Sequence, residues 1–345
     1  MTTENEFPAL GCEDAAQLLL PADSVLICIH RNPDGDALGS GFALAEMLRA
    51  MGKTARVVCA DEIPHRLVFL MSGQDDCAYQ PGMEDAYSLV CAVDTASAAQ
   101  LGALSPLAPK IALSLDHHAA NEPYSPNWTD GAASAAGELL FHLYRHFLDS
   151  GRIPESAAVC RRLYAAIISD TGSFKYANTT RDTLLVAAEL LGTISAAADG
   201  GDDPAMICHR LFECRTLTEL HAQRAGIDAL RLAHGGELGI VLFTAAMLRE
   251  NHLTAEDIGN IVGLPRTVEG VKIALSVKQS EDDGTQWRVS SRASCDLDVS
   301  SVCASFGGGG HRRAAGCVIT APDAESAYDT VCEAFGRLLD TEEDA

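Results

Sequence analysis

The residues best suited to chemistry in this sequence are aspartates and histidines that follow apolar, strand-like runs. In chain order they are His30, Asp34, Asp36, Asp94, Asp116, His117, His118 and Asp170. Side chains at the carboxyl ends of neighbouring parallel strands converge on one crevice of an open α/β sheet, so we expect these residues to meet there. Carboxylates and imidazoles without thiolates favour Mn²⁺, Mg²⁺ or similar ions over a structural zinc.

The elements that must position these residues alternate between strand and helix. Residues 25–29 form a buried, apolar run typical of a strand, and residues 38–51 have the apolar spacing of a helix. The further strand-like runs are residues 54–59, 88–93 and 111–115, and the further helical ones are residues 138–148, 157–168 and 183–191. This alternation predicts an α/β fold, with a parallel sheet and helices on both of its faces.

A change of composition marks a boundary between two domains. Large apolar residues give way to Ala, Gly and Asp at residues 193–204. We therefore predict a catalytic, metal-binding domain, a helical linker and a smaller α/β substrate-binding domain. Their limits are residues 1–195, 196–235 and 236–345. In the third segment, residues 238–243, 271–277 and 287–291 are strand-like, residues 281–284 predict a hairpin turn, and Asp323 is a candidate N-cap.

A run of four glycines in the smaller domain ends at His311. Glycines in a linker look the same, but backbone N–H groups of such a loop can also approach an anion without a Cβ in the way. Arg292, expected just past a strand, is a candidate phosphate clamp, and an exposed surface arginine is the alternative. We expect at most one of Arg312 and Arg313 to reach the site. The candidate substrate-binding residues are Arg292, Gly308, Gly309, Gly310 and His311.

Together these motifs resemble those of the DHH phosphoesterases. The shared features are the His-x3-Asp-x-Asp segment from His30 to Asp36, a lone Asp after a later strand, the Asp-His-His triplet, the segment 173–180, and the glycines before His311 with Arg-Arg-Ala-Ala-Gly after it. The resemblance spans roughly residues 20–320. Within that superfamily, the chain is most similar to the branch of bifunctional oligoribonucleases and 3′-phosphoadenosine 5′-phosphate phosphatases.

The resemblance implies roles for individual residues. One metal position would map onto His30, Asp34 and Asp94, and the second onto Asp36, Asp94, His117 and Asp170, so that Asp94 bridges. Two such ions about 3.5–4 Å apart can lower the pKa of a shared water and neutralise charge on the phosphate.

Asp116, His118 and Lys175 complete the motifs. His118 faces the substrate phosphate, assists the leaving oxygen or serves as a supporting imidazole. Asp116 is expected to orient a neighbouring histidine rather than to bind metal directly. Lys175 stands where we expect arginine in many relatives of the family.

Composition restricts the partners. The 345 residues carry 25 basic and 48 acidic side chains, a net charge of −23, which disfavours a grip on long nucleic acid. No apolar run is long enough to cross a bilayer, and residues 1–6 lack a basic and then apolar start, so we expect a cytoplasmic protein. The twelve cysteines include no CxxC pair.

The sequence therefore predicts a metal-dependent hydrolase of short oligonucleotides and 3′,5′-bisphosphorylated nucleosides, with two divalent ions, Mn²⁺ preferred over Mg²⁺. Hydrolysis of cyclic or linear dinucleotides is a related alternative, and an inorganic pyrophosphatase has a similar arrangement of ligands. A non-catalytic nucleotide-binding module is the alternative from another class. The oligomeric state stays open, with a homodimer as one alternative.

Overall fold

Two compact units make up the chain. The computed structural model describes residues 7–71, 77–259 and 261–343. Contacts divide the chain between Cys214 and Arg215. The predicted linker, residues 196–235, falls across this division, because helix α6 (Pro204–Cys208) belongs to the first unit and helix α7 (Leu217–Asp228) to the second.

The first unit is built on a sheet of five parallel strands in the order β2-β1-β3-β4-β5. The strands are β1 (Ser24–Ile29), β2 (Thr54–Val58), β3 (Leu89–Val93), β4 (Ile111–Asp116) and β5 (Asn127–Thr129). Because β2 and β3 lie on opposite sides of β1, the strand order reverses between β1 and β3. Ligands of open α/β sheets bind in the crevice at the carboxyl ends of strands at such a switch point.

Two apolar layers cover this sheet. Val25, Ile27 and Ile29 point into a core shared with the α-helices, because alternate residues of a strand face opposite sides. These helices are α1 (Cys12–Leu19), α2 (Gly35–Ala50), α3 (Ala136–Asp149), α4 (Ala157–Asp170), α5 (Arg181–Ala196) and α6. Leu26 and Cys28 point to the other face, where the 3₁₀-helical segment Ala98–Lys110 packs. The parallel α/β fold predicted from the sequence is confirmed.

Helices α2 and α4 pack unusually closely. A Cβ added at Gly39 would lie 2.6 Å from the carbonyl oxygen of Arg162, and one added at Gly35 would lie 2.5 Å from Ser169 Oγ. Real Cβ atoms do not approach other atoms so closely, so both glycines are required by the packing. This contact brings the first turn of α2 next to the last turn of α4.

The second unit contains a mixed sheet of six strands in the order β10-β11-β9-β8-β7-β6, in which only β7 and β8 are parallel. The strands are β6 (Leu230–Ala233), β7 (Leu238–Phe243), β8 (Ile273–Gln279), β9 (Gln286–Ala293), β10 (Gly309–His311) and β11 (Ala314–Thr320). Helices α9 (Val299–Ser305) and α10 (Ala324–Glu343) pack on one face, and α7 and α8 (Ala245–Glu250) contribute to a core on the other.

Local predictions for this unit were partly right. The turn predicted at residues 281–284 connects β8 to β9, and Asp323 caps α10 by accepting the N–H of Ser326 at 2.8 Å. The linker predicted as helical over residues 196–235 is not helical near its end, because Leu230–Ala233 pairs with β7 as a strand. No helix among the described residues is long and apolar enough to cross a membrane.

Candidate metal centre

His30 directly follows β1, and a hydrogen bond to the backbone fixes the orientation of its ring. Nδ1 lies 2.7 Å from the carbonyl oxygen of Arg31, which can only accept, so Nδ1 carries the proton and donates. Nε2 then faces two carboxylates, at 3.6 Å from Asp34 Oδ1 and 3.4 Å from Asp94 Oδ2. Metal-binding histidines almost always donate their other ring N–H in this way, so Nε2 of His30 is oriented as a candidate ligand.

Asp34 and Asp36 are positioned by helix termini. Asp34 is the N-cap of α2, and its Oδ1 accepts the backbone N–H groups of Asp36 and Ala37, both at 3.0 Å. Asp36 lies in the first turn of α2 and is completely buried. The helix predicted from residue 38 begins earlier, at Gly35, because Asp34 caps its first turn.

The buried Asp36 carboxylate accepts three hydrogen bonds. The Ser40 hydroxyl donates to Oδ1 at 2.7 Å, and the N–H groups of Ala136 and Gly137 donate to Oδ2 and Oδ1 at 2.6 and 3.0 Å. Ala136 and Gly137 begin α3, so the positive end of that helix stabilises the charge. These contacts offset part of the cost of burial and hold the carboxylate in one orientation.

Asp94 follows β3, across the switch point from His30. Its N–H donates to the carbonyl oxygen of Leu115 at 2.8 Å, and its φ is +58°, a left-handed conformation that Asp adopts more readily than most residues. Oδ2 faces His30, and Oδ1 lies 3.6 Å from His117 Nε2. One carboxylate thus lies between two imidazoles.

The Asp-His-His triplet ends β4, and its side chains point to two different places. Asp116 is buried, and its Oδ1 lies 2.8 Å from His118 Nδ1, which is 40% exposed on its side chain. His117 turns to the cluster, with Nε2 at 3.3 Å from Asp170 Oδ2 and 3.7 Å from Asp36 Oδ2. The side chains of Asp116 and His118 therefore form a pair beside the cluster.

Asp170 is the last residue of α4. The backbone then passes through three successive left-handed residues, Gly172, Ser173 and Phe174, with φ of 55°, 60° and 64°. The side-chain amide of Asn178 donates to the carbonyl oxygen of Asp170 at 3.1 Å. Strained turns of this kind concentrate at functional sites.

The candidate ligands gather into small groups whose ligand atoms lie within 4.8 Å of one another. One consists of His30, Asp34 and Asp94, and another consists of Asp36, His117 and Asp170. A third joins Asp94 and His117 to His118. Asp94 lies beside both His30 and His117.

Unsatisfied polar atoms indicate that the cluster fits divalent cations. Asp94 Oδ1 and His117 Nε2 are buried and have no hydrogen-bond partner among the described residues. Buried polar atoms nearly always have a partner, and an atom without one calls for an explanation such as an ion. A hard divalent ion is the partner that carboxylate oxygen and imidazole nitrogen share.

The pKa values of the cluster residues also indicate that the cluster favours positive charge. Burial lowers the pKa of His30, but Asp34 and Asp94 outweigh burial and raise it to about 11. Burial likewise opposes charge on His117, yet Asp170, Asp36 and Asp94 raise its pKa to about 10. Burial and the neighbouring Asp94 and Asp170 raise the pKa of Asp36 well above its usual range.

A cavity of about 220 Å³ opens onto this cluster. Among its lining residues are three that the sequence reasoning did not select, namely Arg31, Asn32 and Gln100. Arg31 and Asn32 lie inside the first motif, so their positions were available from the sequence. Gln100 comes from the 3₁₀-helical segment on the other face, and no sequence pattern connects it to the site.

In the second unit, the predicted Gly-rich loop is partly a strand. Gly309 and Gly310 pair with Gly316 and Ala315 as β10 of a hairpin. A Cβ at Gly310, where φ is +145°, would lie 2.5 Å from the carbonyl oxygen of Ala314, whereas a Cβ at Gly309 would meet nothing within 4 Å. Packing between the strands therefore explains Gly310, and Gly309 and His311 are exposed.

The arginines of this unit occupy different environments. Arg292 lies within β9, so its predicted position past the strand was wrong, because pairing with β11 continues through Arg292 and Ala314. Its Nη1 donates to the carbonyl oxygen of Ser291 at 2.9 Å. Arg312 and Arg313 both approach Asp296, at 3.1 and 3.5 Å.

Comparisons with known proteins agree with this architecture. The DHH family, N-terminal domain, matches residues 24–167, and the DHHA1 domain matches residues 240–337. A crystal structure of an exopolyphosphatase-related protein from Bacteroides fragilis superposes with a TM-score of 0.81 at 20% identity, covering 96% of this chain and 95% of that one. At that identity the likeness concerns the fold alone.

Curated relatives extend over almost the whole chain. One is the bifunctional oligoribonuclease and PAP phosphatase NrnA of Thermus thermophilus, 28% identical over 91% of this chain and 90% of its own length. The protein of the same name from Bacillus subtilis is 26% identical over 86% of this chain and 90% of its own length. With a DHH domain, a DHHA1 domain and the Asp and His cluster in place, the chain belongs to the DHH family of phosphoesterases.

Proposed function

We propose that this protein hydrolyses phosphate esters in short oligonucleotides and in 3′,5′-bisphosphorylated nucleosides, with two divalent ions and a preference for Mn²⁺. The observation that carries the proposal is the convergence of six ligand side chains at the switch point of the DHH domain. These are His30, Asp34, Asp36, Asp94, His117 and Asp170. The names of the curated relatives supply the substrate class.

The chain supplies two sets of ligands with one carboxylate between them. His30, Asp34 and Asp94 would hold one ion, and Asp36, His117 and Asp170, with Asp94, the other. When bound, two such ions lower the pKa of a water and neutralise charge on a phosphate. The protein's own part is to fix ligand orientation through the helix ends that hold Asp34 and Asp36.

His118 and Asp116 are proposed as the catalytic pair. Nδ1 of His118 bonds to Asp116, and His118 lines the same cavity as His30 and Asp170. The hydrogen bond to the Asp116 carboxylate raises the pKa of His118. Burial lowers this pKa, but its effect is smaller. A protonated imidazole in this position suits contact with a phosphate oxygen or donation to the leaving oxygen.

The second unit is proposed to bind the substrate. Arg292 points to the same side of β9 as Arg288 and Ser290, since alternate residues of a strand share a face. Gly308, Gly309, Gly310 and His311 form an exposed segment on the far side of β11, which pairs with β9. A guanidinium suits bidentate recognition of a phosphate, and backbone without side chains lets an anion approach closely.

A substrate panel tests the proposal. Steady-state rates with Mn²⁺ would be measured on a dinucleotide, 3′-phosphoadenosine 5′-phosphate, a cyclic dinucleotide and pyrophosphate, and repeated with Mg²⁺ and after chelation. We expect the first two to be the best substrates and chelation to abolish turnover. Higher kcat/KM on the cyclic dinucleotide or pyrophosphate would assign a different substrate, and turnover that persists after chelation would exclude the metal mechanism.

Chain length provides a second test. The net charge of −23 opposes an extended polyanion, so each phosphate outside the cleft should add repulsion. We expect kcat/KM per end to be higher for a dinucleotide than for a 24-mer of one base, with the difference shrinking at high salt. Equal or higher efficiency on the 24-mer at low salt would contradict the short-substrate proposal.

We further propose a cytoplasmic location.

A further inference from the structure

Arg31 is anchored at the edge of the metal cavity. Its N–H donates to the carbonyl oxygen of Gln100 at 2.7 Å, which ties the His30 loop to the 3₁₀-helical segment. Its side-chain stem lies along Gly102, where a Cβ would be 3.0 Å from Arg31 Cβ and 3.2 Å from Arg31 Cδ. The absence of a side chain at Gly102 leaves room for the stem, so part of the arginine's conformational freedom is already removed.

The charge of Arg31 is not committed to a carboxylate. Arg31 is exposed, and among the described residues its guanidinium forms no ion pair. By contrast, Arg161 and Arg210 of the same unit pair with Asp199 and Asp202 at 2.6 and 3.1 Å. A guanidinium without a carboxylate partner keeps its N–H donors available for an oxyanion such as phosphate.

Arg31 is also the one Lys or Arg among the described residues that line this cavity. The same wall contains Asp34, Asp94 and Asp170, whose negative carboxylates are suited to binding cations. The cavity, at about 220 Å³, is smaller than the range of about 300–1,000 Å³ typical of pockets that enclose drug-sized ligands. Its size and polarity suit phosphate groups and ions better than a whole nucleotide.

From this placement we propose that Arg31 binds a second phosphate group of the substrate, adjacent to the phosphate held at the metal centre. The inference rests on the proposed function and specifies how that site recognises its substrate. An arginine supplies two parallel N–H donors to one phosphate, a geometry that lysine lacks. Arg31 is therefore a specificity residue that favours substrates with two neighbouring phosphates over those with one.

The test compares a dinucleotide that carries a 5′-phosphate with the same dinucleotide without it. For Arg31→Ala, we expect KM to rise about tenfold or more on the phosphorylated dinucleotide and less than about twofold on the other, with kcat preserved on both. Arg31→Lys should recover only part of the loss. Arg152→Ala, at an exposed arginine without an ion pair among the described residues, is the matched control and should match wild type.

The outcomes separate this inference from the proposed function. If wild type hydrolyses both dinucleotides and Arg31→Ala raises both KM values equally or neither, the second-phosphate contact is excluded and the proposed function stands. If wild type hydrolyses neither, the function fails, and calorimetric titration of both dinucleotides in Mn²⁺ then tests the contact directly. Equal affinities of wild type for the two would overturn the role of Arg31, and a preference lost in Arg31→Ala would support it.

Discussion

The metal cluster of the first unit and the Gly-rich hairpin of the second show opposite ways of holding functional side chains. In the cluster, Asp36 is fully buried and accepts three hydrogen bonds, and Asp34 caps a helix. In the hairpin, Gly309 and His311 are exposed, and Arg312 pairs with Asp296 at the surface.

The difference follows from the free-energy cost of burying a charged side chain. A buried carboxylate without compensation is very unfavourable, so the fold must surround it with donors and cations, and this fixes its geometry. Exposed charges are solvated by water and require no such support. We therefore expect changes in the cluster to reduce kcat and changes around the hairpin to raise KM.

Asp94→Asn should have the largest effect. The amide keeps the size of the side chain and tolerates the left-handed backbone, but it removes the negative charge that lies beside both His30 and His117. We expect kcat at saturating Mn²⁺ to fall by at least about a hundredfold. Asp149→Asn, at an exposed ion pair with Arg145, serves as the control and should retain full rate. A variant with more than about a tenth of wild-type kcat would show that the bridge is misassigned.

Arg292→Ala should act on binding. Because the guanidinium is assigned to a phosphate remote from the reacting bond, we expect KM to rise about thirtyfold, equivalent to about 2 kcal/mol, with Mn²⁺ affinity unchanged. Steady-state kinetics on a dinucleotide and a bisphosphorylated nucleoside, with calorimetry for Mn²⁺, would measure both quantities. Unchanged KM and kcat on both substrates would place Arg292 outside the site.

Gly39→Ala tests the packing that supports the cluster. The new Cβ would meet the carbonyl oxygen of Arg162, so α2 must move away from α4, and we expect a loss of stability of about 1–3 kcal/mol. Gly192→Ala is the matched control, because this glycine of α5 is exposed and has nothing near its Cβ position. That variant should gain about 0.5–1 kcal/mol. Thermal unfolding would detect the opposite signs, and equal shifts would refute the packing argument.

Gly310→Ala should have the smallest effect, confined to the hairpin. The backbone conformation and the approach of Ala314 both disfavour a side chain, and we expect a cost of about 1 kcal/mol. Gly309→Ala meets open space and should not lower stability, since alanine in a strand is favoured over glycine by about 0.5–1 kcal/mol. Hydrogen exchange of β10 and β11 would distinguish the two variants. Equal protection in both would indicate that the hairpin does not depend on Gly310.

The sequence was most informative where periodicity and residue type agreed. The apolar run before His30 predicted β1, and the lone Asp94 after a second run predicted a carboxylate at the next strand end. It was less informative where long-range contacts decide structure. Nothing local distinguishes Gly309–His311 as a strand from a loop, because only pairing with β11 makes it one.

The sequence by itself determined the set of chemical groups and the α/β alternation that carries them, because residue types and hydrophobic periods are local properties. Only the tertiary structure decided which groups meet. The strand order brings His30 and Asp94 together at the switch point, and the close packing of α2 on α4 brings Asp170 to the same cluster. Gln100 reaches the cavity from the opposite face of the sheet. These contacts join residues far apart in the chain, and their geometry depends on how whole elements pack against one another.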